Sequence, residues 1–252
     1  MVSKKKFSLA LMGSRPLSIK VLEHLNKQDY IDIKGVVPIQ NKNRYWNGTL
    51  EEKAQNLGVP CLHENELLSE PIDLILSVHY DKIIKEPILS HPKIGIVNIH
   101  YSYNLKYRGR NCTTFAILNA RKNNEWFHGT TLHFIDEKID RGKIIDSYKC
   151  GITEEDTAKS LYERVDNLSF ELIKNALPKI FSGNYQLKDP DENSIYHDVN
   201  SMANKEVDMN MSSEEIYDFI RAFTFPPFEK PYMVLGNKKI YLSIDDKNEK
   251  KY

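Results

Sequence analysis

The chain of 252 residues alternates short apolar runs with stretches of helical periodicity. Each run has the length and the Val, Ile and Leu content of a buried strand. The runs span residues 7–12, 31–37, 72–78 and 93–99. Apolar residues at helical spacing lie between or after them, at residues 17–25, 50–57 and 113–119. This alternation predicts an α/β fold with a mostly parallel sheet and helices on both faces.

The rest of the chain predicts an antiparallel strand pair, a long helix and a small C-terminal part. The strands span residues 127–135 and 143–148, the long helix 154–180, a short amphipathic helix 212–222, and a hairpin 232–244 that turns at Gly236 and Asn237. The polar stretch of residues 186–205 is predicted as a connector. We therefore expect a large N-terminal domain over residues 1–185 and a small helix and β-hairpin module over residues 186–252.

Composition excludes several classes of function. The sequence has 35 basic and 35 acidic residues and a formal net charge of zero, which argues against general binding to nucleic acids or membrane surfaces. No apolar run approaches the ~20 residues of a membrane span. The three cysteines, Cys61, Cys112 and Cys150, lack C-x-x-C spacing. Neither a disulfide framework nor a zinc site is expected, and a cytoplasmic location fits.

Common cofactor and metal motifs are also missing. The first strand–helix turn, Gly13-Ser14-Arg15-Pro16, lacks the G-x-G-x-x-G pattern of dinucleotide sites, and no P-loop or G-x-S-x-G elbow occurs. His128 and His133 are five residues apart, so on one strand they face opposite sides. A metal shared by these histidines is therefore not expected.

Asn98 and His100 are the polar residues that end the fourth apolar run. Side chains two apart in a strand point to the same face, so these two are expected side by side. Ligands of parallel α/β sheets bind at the carboxyl ends of the strands. The end of the third run, Ser77-Val78-His79-Tyr80, is expected at the same edge.

Asp140 lies on a glycine-containing loop and is expected to come back beside His100. Histidine titrates near neutrality, with a reference pKa of ~6.5. An asparagine amide can donate to a developing oxyanion without changing its own charge. A carboxylate partner orients the imidazole and favours its protonated form. Together, Asn98, His100 and Asp140 predict transfer of an acyl group to an amine.

Two segments resemble the signatures of the 10-formyltetrahydrofolate-dependent formyltransferases. The first is Val97-Asn98-Ile99-His100 followed by Leu105-Lys106-Tyr107-Arg108-Gly109; the second runs from His128 to Gly142 with Asp140 at the matching distance. A third segment, Ile220-Arg221-Ala222-Phe223-Thr224-Phe225-Pro226-Pro227, resembles the start of the C-terminal module in the branch that acts on nucleotide-linked amino sugars.

The resemblance implies a Rossmann-like catalytic domain and a role for each residue of the triad. His100 takes a proton from the attacking amine or relays it. Asn98 holds the formyl oxygen, and Asp140 pairs with His100 and a proton-carrying water. N10-formyltetrahydrofolate is the implied co-substrate, and its pterin would lie against the residues Ser77, Val78, His79, Tyr80 and Ile84, closed by Ile135, Asp136 and Glu137.

The chain departs from the resembled pattern in two places. Tyr101-Ser102-Tyr103-Asn104 stands where the family often has prolines, which leaves the path of this loop open. Arg141 stands before Gly142, where the family often has a small residue. Neither change touches the triad.

The acceptor is expected to be a nucleotide-linked amino sugar. Arg108, Arg110 and Asn111 could hold its pyrophosphate, since guanidinium forks suit phosphates; a solvated basic turn is the alternative. The predicted contacts to sugar and nucleobase are Tyr103, Phe225, Phe228 and Tyr232, with Tyr45 and Trp46 as further candidates. Aromatics beside Pro226 and Pro227 could equally be core residues.

By resemblance, a dTDP-linked 3- or 4-amino-deoxyhexose used in surface polysaccharide is the first choice, with a GDP-linked one next. Glycinamide ribonucleotide formylation is an alternative, but that branch lacks the C-terminal module. Methionyl-tRNA formylation suits a neutral chain poorly. Binding of nucleotide sugar or folate without turnover would not require the triad. A homodimer formed through the C-terminal part is a family expectation.

Overall fold

The structure is a computed structural model that describes residues 6–39 and 47–244. Tyr45 and Trp46 lie outside these ranges. The strands are β1 (Phe7–Gly13), β2 (Ile31–Pro38), β3 (Leu74–Val78), β4 (Gly95–His100), β5 (Tyr107–Gly109), β6 (Phe127–Phe134), β7 (Ile144–Gly151), β8 (Ile195–His197), β9 (Tyr232–Leu235) and β10 (Lys238–Tyr241). The α-helices are α1 (Arg15–Leu25), α2 (Leu50–Leu57), α3 (Cys112–Asn123), α4 (Ala158–Ser182) and α5 (Ser213–Ala222).

The central sheet has six strands in the order β2-β1-β3-β4-β6-β7. The first four are parallel, whereas β6 and β7 add antiparallel strands beside β4. Alternate residues of β1 belong to different cores: Leu9 and Leu11 pack in the larger cluster, Ala10 and Met12 in the smaller one. Because both faces are covered, the strand is apolar at every position from Leu9 to Met12. The predicted α/β class with a mostly parallel sheet is confirmed.

Two elements, the long helix and the third strand, begin later in the chain than the sequence predicts. The long helix was expected from residue 154 but begins at Ala158, because the Thr157 side chain caps it by accepting from Ser160 N. The third strand begins at Leu74 rather than Ile72, and directly before it the Asp73 carboxylate accepts from both the backbone N and the hydroxyl of Ser8.

The predicted connector contains a strand. Within residues 186–205, β8 pairs in parallel with β5, the strand that follows the His100 loop. Polar residues flank Ile195 and Tyr196, and both side chains remain exposed, so a buried-strand pattern was not visible in the sequence. This pairing lays the connector against the edge of the site.

The C-terminal helix docks through a buried arginine. Arg221 is fully buried, and its guanidinium donates to the Asp218 carboxylate and to the carbonyls of Thr153 and Asp156. The β9–β10 hairpin turns at Gly236 as predicted. In the described part of the chain, no helix is long and apolar enough to cross a membrane.

Candidate active site

Asn98 and His100 stand at the carboxyl end of β4, as predicted. In the strand register Asn98 lies between Ser77 of β3 and His133 of β6. His100 lies opposite Thr131. The carboxyl ends of β3 and β4 therefore meet the antiparallel β6 at this edge, where ligands of α/β sheets bind.

The Asn98 amide has one defined orientation. The Ser77 hydroxyl donates to its Oδ1 at 2.8 Å, and its Nδ2 lies 3.2 Å from Nε2 of His133. Nδ1 of His133 lies 2.8 Å from the Phe134 carbonyl, which can only accept. Neutral His133 therefore carries its proton on Nδ1 and accepts at Nε2, so the amide must donate to it. Within the described residues, the second amide hydrogen is left for a ligand.

The loop after His100 turns back tightly and fixes the imidazole. Tyr101 donates its hydroxyl to buried Asp166 at 2.8 Å, and the Ser102 hydroxyl accepts from Tyr107 N at 2.8 Å. This return brings the Tyr107 carbonyl within 2.8 Å of His100 Nε2, which donates to it. Nδ1 of His100 is left facing the centre of the site.

Asp140 completes the constellation from the loop between β6 and β7. Its Oδ2 accepts from Gly109 N at 2.8 Å and lies 3.7 Å from His100 Nδ1. Its Oδ1 lies 3.7 Å from His133 Nε2. The loop closes at Gly142, where a Cβ atom would come within 1.7 Å of the Phe134 carbonyl oxygen, so only glycine fits.

The pKa values of the histidines on β4 and β6 diverge. Burial lowers the pKa of His100, but the Asp140 carboxylate, the Cys112 sulfur and the Tyr107 carbonyl together outweigh it and raise the value to about 10. Burial lowers the pKa of His133 to about 4, although Asp140 opposes it, and that of His128 to about 3. His100 is therefore a cation at neutral pH and His133 is neutral. His100 can therefore act as a charged donor, whereas neutral His133 accepts from the Asn98 amide and orients it.

The residues predicted to contact the pterin occupy different environments. Ser77 orients Asn98, and Val78 and Ile84 are buried in the core. The carbonyls of Val78 and His79 accept from Ser14 N and the Ser14 hydroxyl. Tyr80 donates its hydroxyl to Glu64. Ile135 donates its N–H to the Ile96 carbonyl, and Asp136 and Glu137 are exposed beside it.

The residues predicted to contact the acceptor fall into separate neighbourhoods. Arg108 lies beside Ile139 and Tyr196, whereas Phe225 packs against Phe228 and Tyr162. The remaining predicted contacts are Tyr103 against Phe127, Tyr232 in the hairpin, and exposed Arg110 and Asn111 before α3.

Sequence reasoning missed His133 and Arg15. His133 was considered only as a metal ligand, yet it orients Asn98. Arg15 begins α1 at φ +68° and lies 3.7 Å from the Asp81 carboxylate, close to Tyr162. The register between β4 and β6 would have identified His133; no sequence signal identifies Arg15. In the described part of the chain, no cluster of three or more His, Cys, Asp or Glu side chains could hold a metal ion.

The histidines are expected to make the free energy of unfolding fall on both sides of about pH 6.5. Below it, unfolded His79, His128 and His133 bind protons that the folded chain excludes, so stability falls as the pH drops toward about 4 and 3. The slope reaches about 1.4 kcal/mol per pH unit per histidine. Above it, folded His100 keeps a proton that the unfolded chain loses, so stability falls toward about pH 10. Urea unfolding across this range measures both limbs.

Two variants separate the limbs. His128→Asn should reduce the slope of the unfolding free energy against pH below pH 6.5 by the contribution of one histidine. Asp140→Asn should reduce the loss of stability above pH 6.5. Exposed His63→Asn is the control and should change neither. Slopes unchanged in both test variants would contradict the assigned protonation states.

Comparison with known proteins gives concordant matches. A family profile described as formyl transferase matches residues 50–177, which is 128 of the 252 residues. The bifunctional polymyxin resistance protein ArnA of Wigglesworthia glossinidia brevipalpis is 36% identical over 171 residues, covering 68% of this chain and 25% of that protein. A methionyl-tRNA formyltransferase of Listeria innocua serovar 6a is 26% identical over 246 residues, covering 91% of this chain and 76% of that protein.

Two solved structures resemble the whole fold. WlaRD, a sugar 3N-formyl transferase solved with dTDP and 5-N-formyl-THF, aligns with a TM-score of 0.79 and 28% identity over 94% of this chain and 85% of that one. The N-formyltransferase of Helicobacter canadensis, solved with folinic acid and dTDP-3-aminofucose, aligns with a TM-score of 0.77 and 28% identity over 93% and 86%. The chain spans a quarter of ArnA but most of both these enzymes. With half of its length matched by the profile and its site assembled at the sheet edge, this chain belongs to the formyl transferase family.

Proposed function

We propose that this protein transfers a formyl group from N10-formyltetrahydrofolate to the amine of a nucleotide-linked amino sugar, with a dTDP-linked 3- or 4-amino-deoxyhexose preferred. The observation that carries the proposal is the oriented set of Asn98, His100 and Asp140. Both sugar N-formyltransferases of similar fold were solved with a folate and with dTDP or a dTDP-sugar, which supports the choice of ligands. A cytoplasmic location of the enzyme and the use of its product in surface polysaccharide are part of the proposal.

The donors of the site fit a formyl carbonyl. Attack by the amine forms a C–N bond and puts negative charge on the formyl oxygen, where the second Asn98 amide hydrogen and the His100 imidazolium can donate. Breaking the bond to N10 requires one proton there, and the amine must lose one. Because His100 is already protonated beside Asp140, a proton relay fits better than direct abstraction of the amine proton by His100. In this relay His100 gives its proton to N10. Asp140 takes up the proton of the amine through a water molecule and returns it to His100.

The acceptor is proposed to enter on the side of Phe225. Phe225 contacts both Phe228 and Tyr162. The Tyr162 hydroxyl lies 3.4 Å from His79 Nε2. A nucleobase stacked on these rings would bring its diphosphate toward Arg15. Arg110 and Asn111 remain predicted phosphate contacts from the other side of His100.

Other acceptors are weaker candidates. Methionyl-tRNA formyltransferases cover as much of the chain as the sugar enzymes, but zero net charge argues against a tRNA acceptor. A GDP-linked sugar is the next candidate, because nothing in the aromatic pair selects one base. Glycinamide ribonucleotide would leave Phe225 and Phe228 unused. A binding protein without turnover would not need a charged His100 beside an oriented Asn98.

We also propose residues 1–185 as the catalytic domain and residues 186–252 as the part that forms a homodimer. The β9–β10 hairpin exposes the apolar side chains Val234, Leu235, Ile240 and Tyr241. A second copy of the hairpin would cover them. Light scattering at micromolar concentration should give twice the chain mass, and a monomer would contradict the dimer.

A substrate panel tests the proposed reaction. Purified protein with N10-formyltetrahydrofolate should increase the mass of a dTDP-amino-deoxyhexose by one CO unit, because the amine becomes a formamide. GDP- and UDP-linked amino sugars, glycinamide ribonucleotide and methionyl-tRNA are the comparison acceptors. Formylation of one of the last two, with no sugar product, would contradict the proposal.

Substitution of the two site histidines should give graded losses. His100→Asn should lower kcat by about 10²-fold or more, because it cannot relay a proton. His133→Phe should lower kcat by about 10-fold or more with little change in KM, because the Asn98 amide loses its orienting acceptor. His128→Phe is the matched control, since His128 is equally buried on the other face of the same strand. Equal losses in His133→Phe and His128→Phe would point to stability rather than orientation.

A further inference from the structure

A cationic cleft of about 520 Å³ lies on the outer side of the loop that carries Asp140. Its lining is Arg108, Lys138, Ile139, Arg141 and Tyr196, with three cations and no acidic side chain. Tyr196 comes from β8, so the connector forms one wall. None of the three cations is needed for the proposed proton relay.

The cations of this cleft lack counter-charges. Within residues 6–39 and 47–244 no ion pair neutralises Arg108, Lys138 or Arg141. Arg108 donates through one terminal nitrogen to the Ile139 carbonyl at 3.1 Å and lies 5.6 Å from the Tyr196 ring centroid. Its Nε is buried without a hydrogen-bond partner among the described residues. A buried donor without a partner costs free energy that a bound anion would recover.

Asp140 does not form an ion pair with the cations of the cleft. Its Oδ2 is held by Gly109 N and faces His100, and its Oδ1 faces His133, so both oxygens point toward the triad. Arg141 donates to the Glu192 backbone carbonyl at 3.4 Å, not to a carboxylate. Burial, together with the charge of Arg141, lowers the pKa of Arg108, although the nearby Asp140 carboxylate opposes this shift.

The position of the cleft relates it to the folate side of the site. The residues predicted to close over the pterin are Ile135, Asp136 and Glu137. The next four residues of the chain include three that line the cleft, Lys138, Ile139 and Arg141. Ile139 and Arg141 flank Asp140 in the chain, and Arg108 precedes the Gly109 that binds it. The cleft therefore adjoins the proposed catalytic carboxylate. Phe225 and Tyr162, on the proposed acceptor side, contact a different set of residues.

We propose that this cleft binds the glutamate tail of the folate co-substrate and favours tails with several γ-linked glutamates. The inference rests on the proposed function, because it places the reacting N10 at the triad. From N10 a folate continues through an aromatic ring to its glutamate, and each further glutamate adds one carboxylate. Tyr196 and Ile139 offer apolar surface for the ring, and the guanidinium forks of Arg108 and Arg141 match carboxylates. Arg108 is thereby assigned to the folate rather than to the acceptor pyrophosphate.

Binding of tetrahydrofolate without a formyl group tests this inference in the absence of turnover. By calorimetry at low salt, the pentaglutamate form should bind at least about 10-fold more tightly than the monoglutamate, since two or more charge-assisted pairs are added. The advantage should shrink as salt rises. Equal affinities of the two forms for the unmodified protein would overturn the proposal.

Variants assign the preference to the cleft. Arg141→Ser combined with Lys138→Gln should abolish the advantage of pentaglutamate and leave monoglutamate binding within about twofold. Lys122→Gln, which removes one exposed positive charge on α3, is the control for each single substitution and should keep the advantage. Unchanged urea unfolding would confirm that the double variant is folded, and the single variants serve if it is not.

Kinetics separate the two anions that the cleft could hold. A raised KM for the nucleotide sugar in Arg141→Ser, with the pentaglutamate advantage intact, would overturn the proposal and make the cleft a diphosphate site. If no acceptor on the panel is formylated but the pentaglutamate advantage persists and is lost in the variants, the acceptor assignment fails and the tail site stands. No binding of either tetrahydrofolate form would overturn both proposals.

Discussion

The site depends on one clamped carboxylate. Asp140 is held by the backbone N–H of Gly109 and stands 3.7 Å from each of two imidazoles, those of His100 and His133. The carboxylate, together with the Cys112 and Tyr107 contacts, makes His100 a cation, while burial keeps His133 neutral despite the same carboxylate. Neutral His133 then fixes the Asn98 amide, and charged His100 is fixed by the Tyr107 carbonyl. Hydrogen bonds within the fold hold this arrangement in place, which is the preorganisation that transition-state stabilisation requires.

Short-range patterns in the sequence predicted the sheet and half of the site. The alternation of apolar runs and helices gave the α/β class, and strand periodicity placed Asn98 and His100 on one face. Asp140 followed from the matched distance to a known signature. His133 was missed because its role depends on the pairing of β6 with β4, which no local pattern encodes. The strand β8 was missed for the same reason, since it pairs with β5, which is distant in sequence.

Loops carry most of what the sequence could not predict. The segment from Tyr101 to Asn104 lacks the prolines of the resembled family, yet buried bonds from Tyr101 and Ser102 hold it in a tight return. Arg15 and Asp140 both adopt positive φ angles that no residue type signals. Residues predicted to bind one acceptor were separated by the fold into an aromatic group around Phe225 and a cationic group around Arg108. Two ligands approaching the triad from different sides explain that separation better than one.

The central claim is that Asp140 keeps His100 charged, and NMR titration of the His100 ring tests it most directly. In the unmodified protein the ring should stay protonated through neutral pH, with a pKa of about 10. In Asp140→Asn burial would act without the carboxylate, and the pKa should fall well below that of the unmodified protein. A ring that titrates near its ordinary value in both proteins would contradict the account.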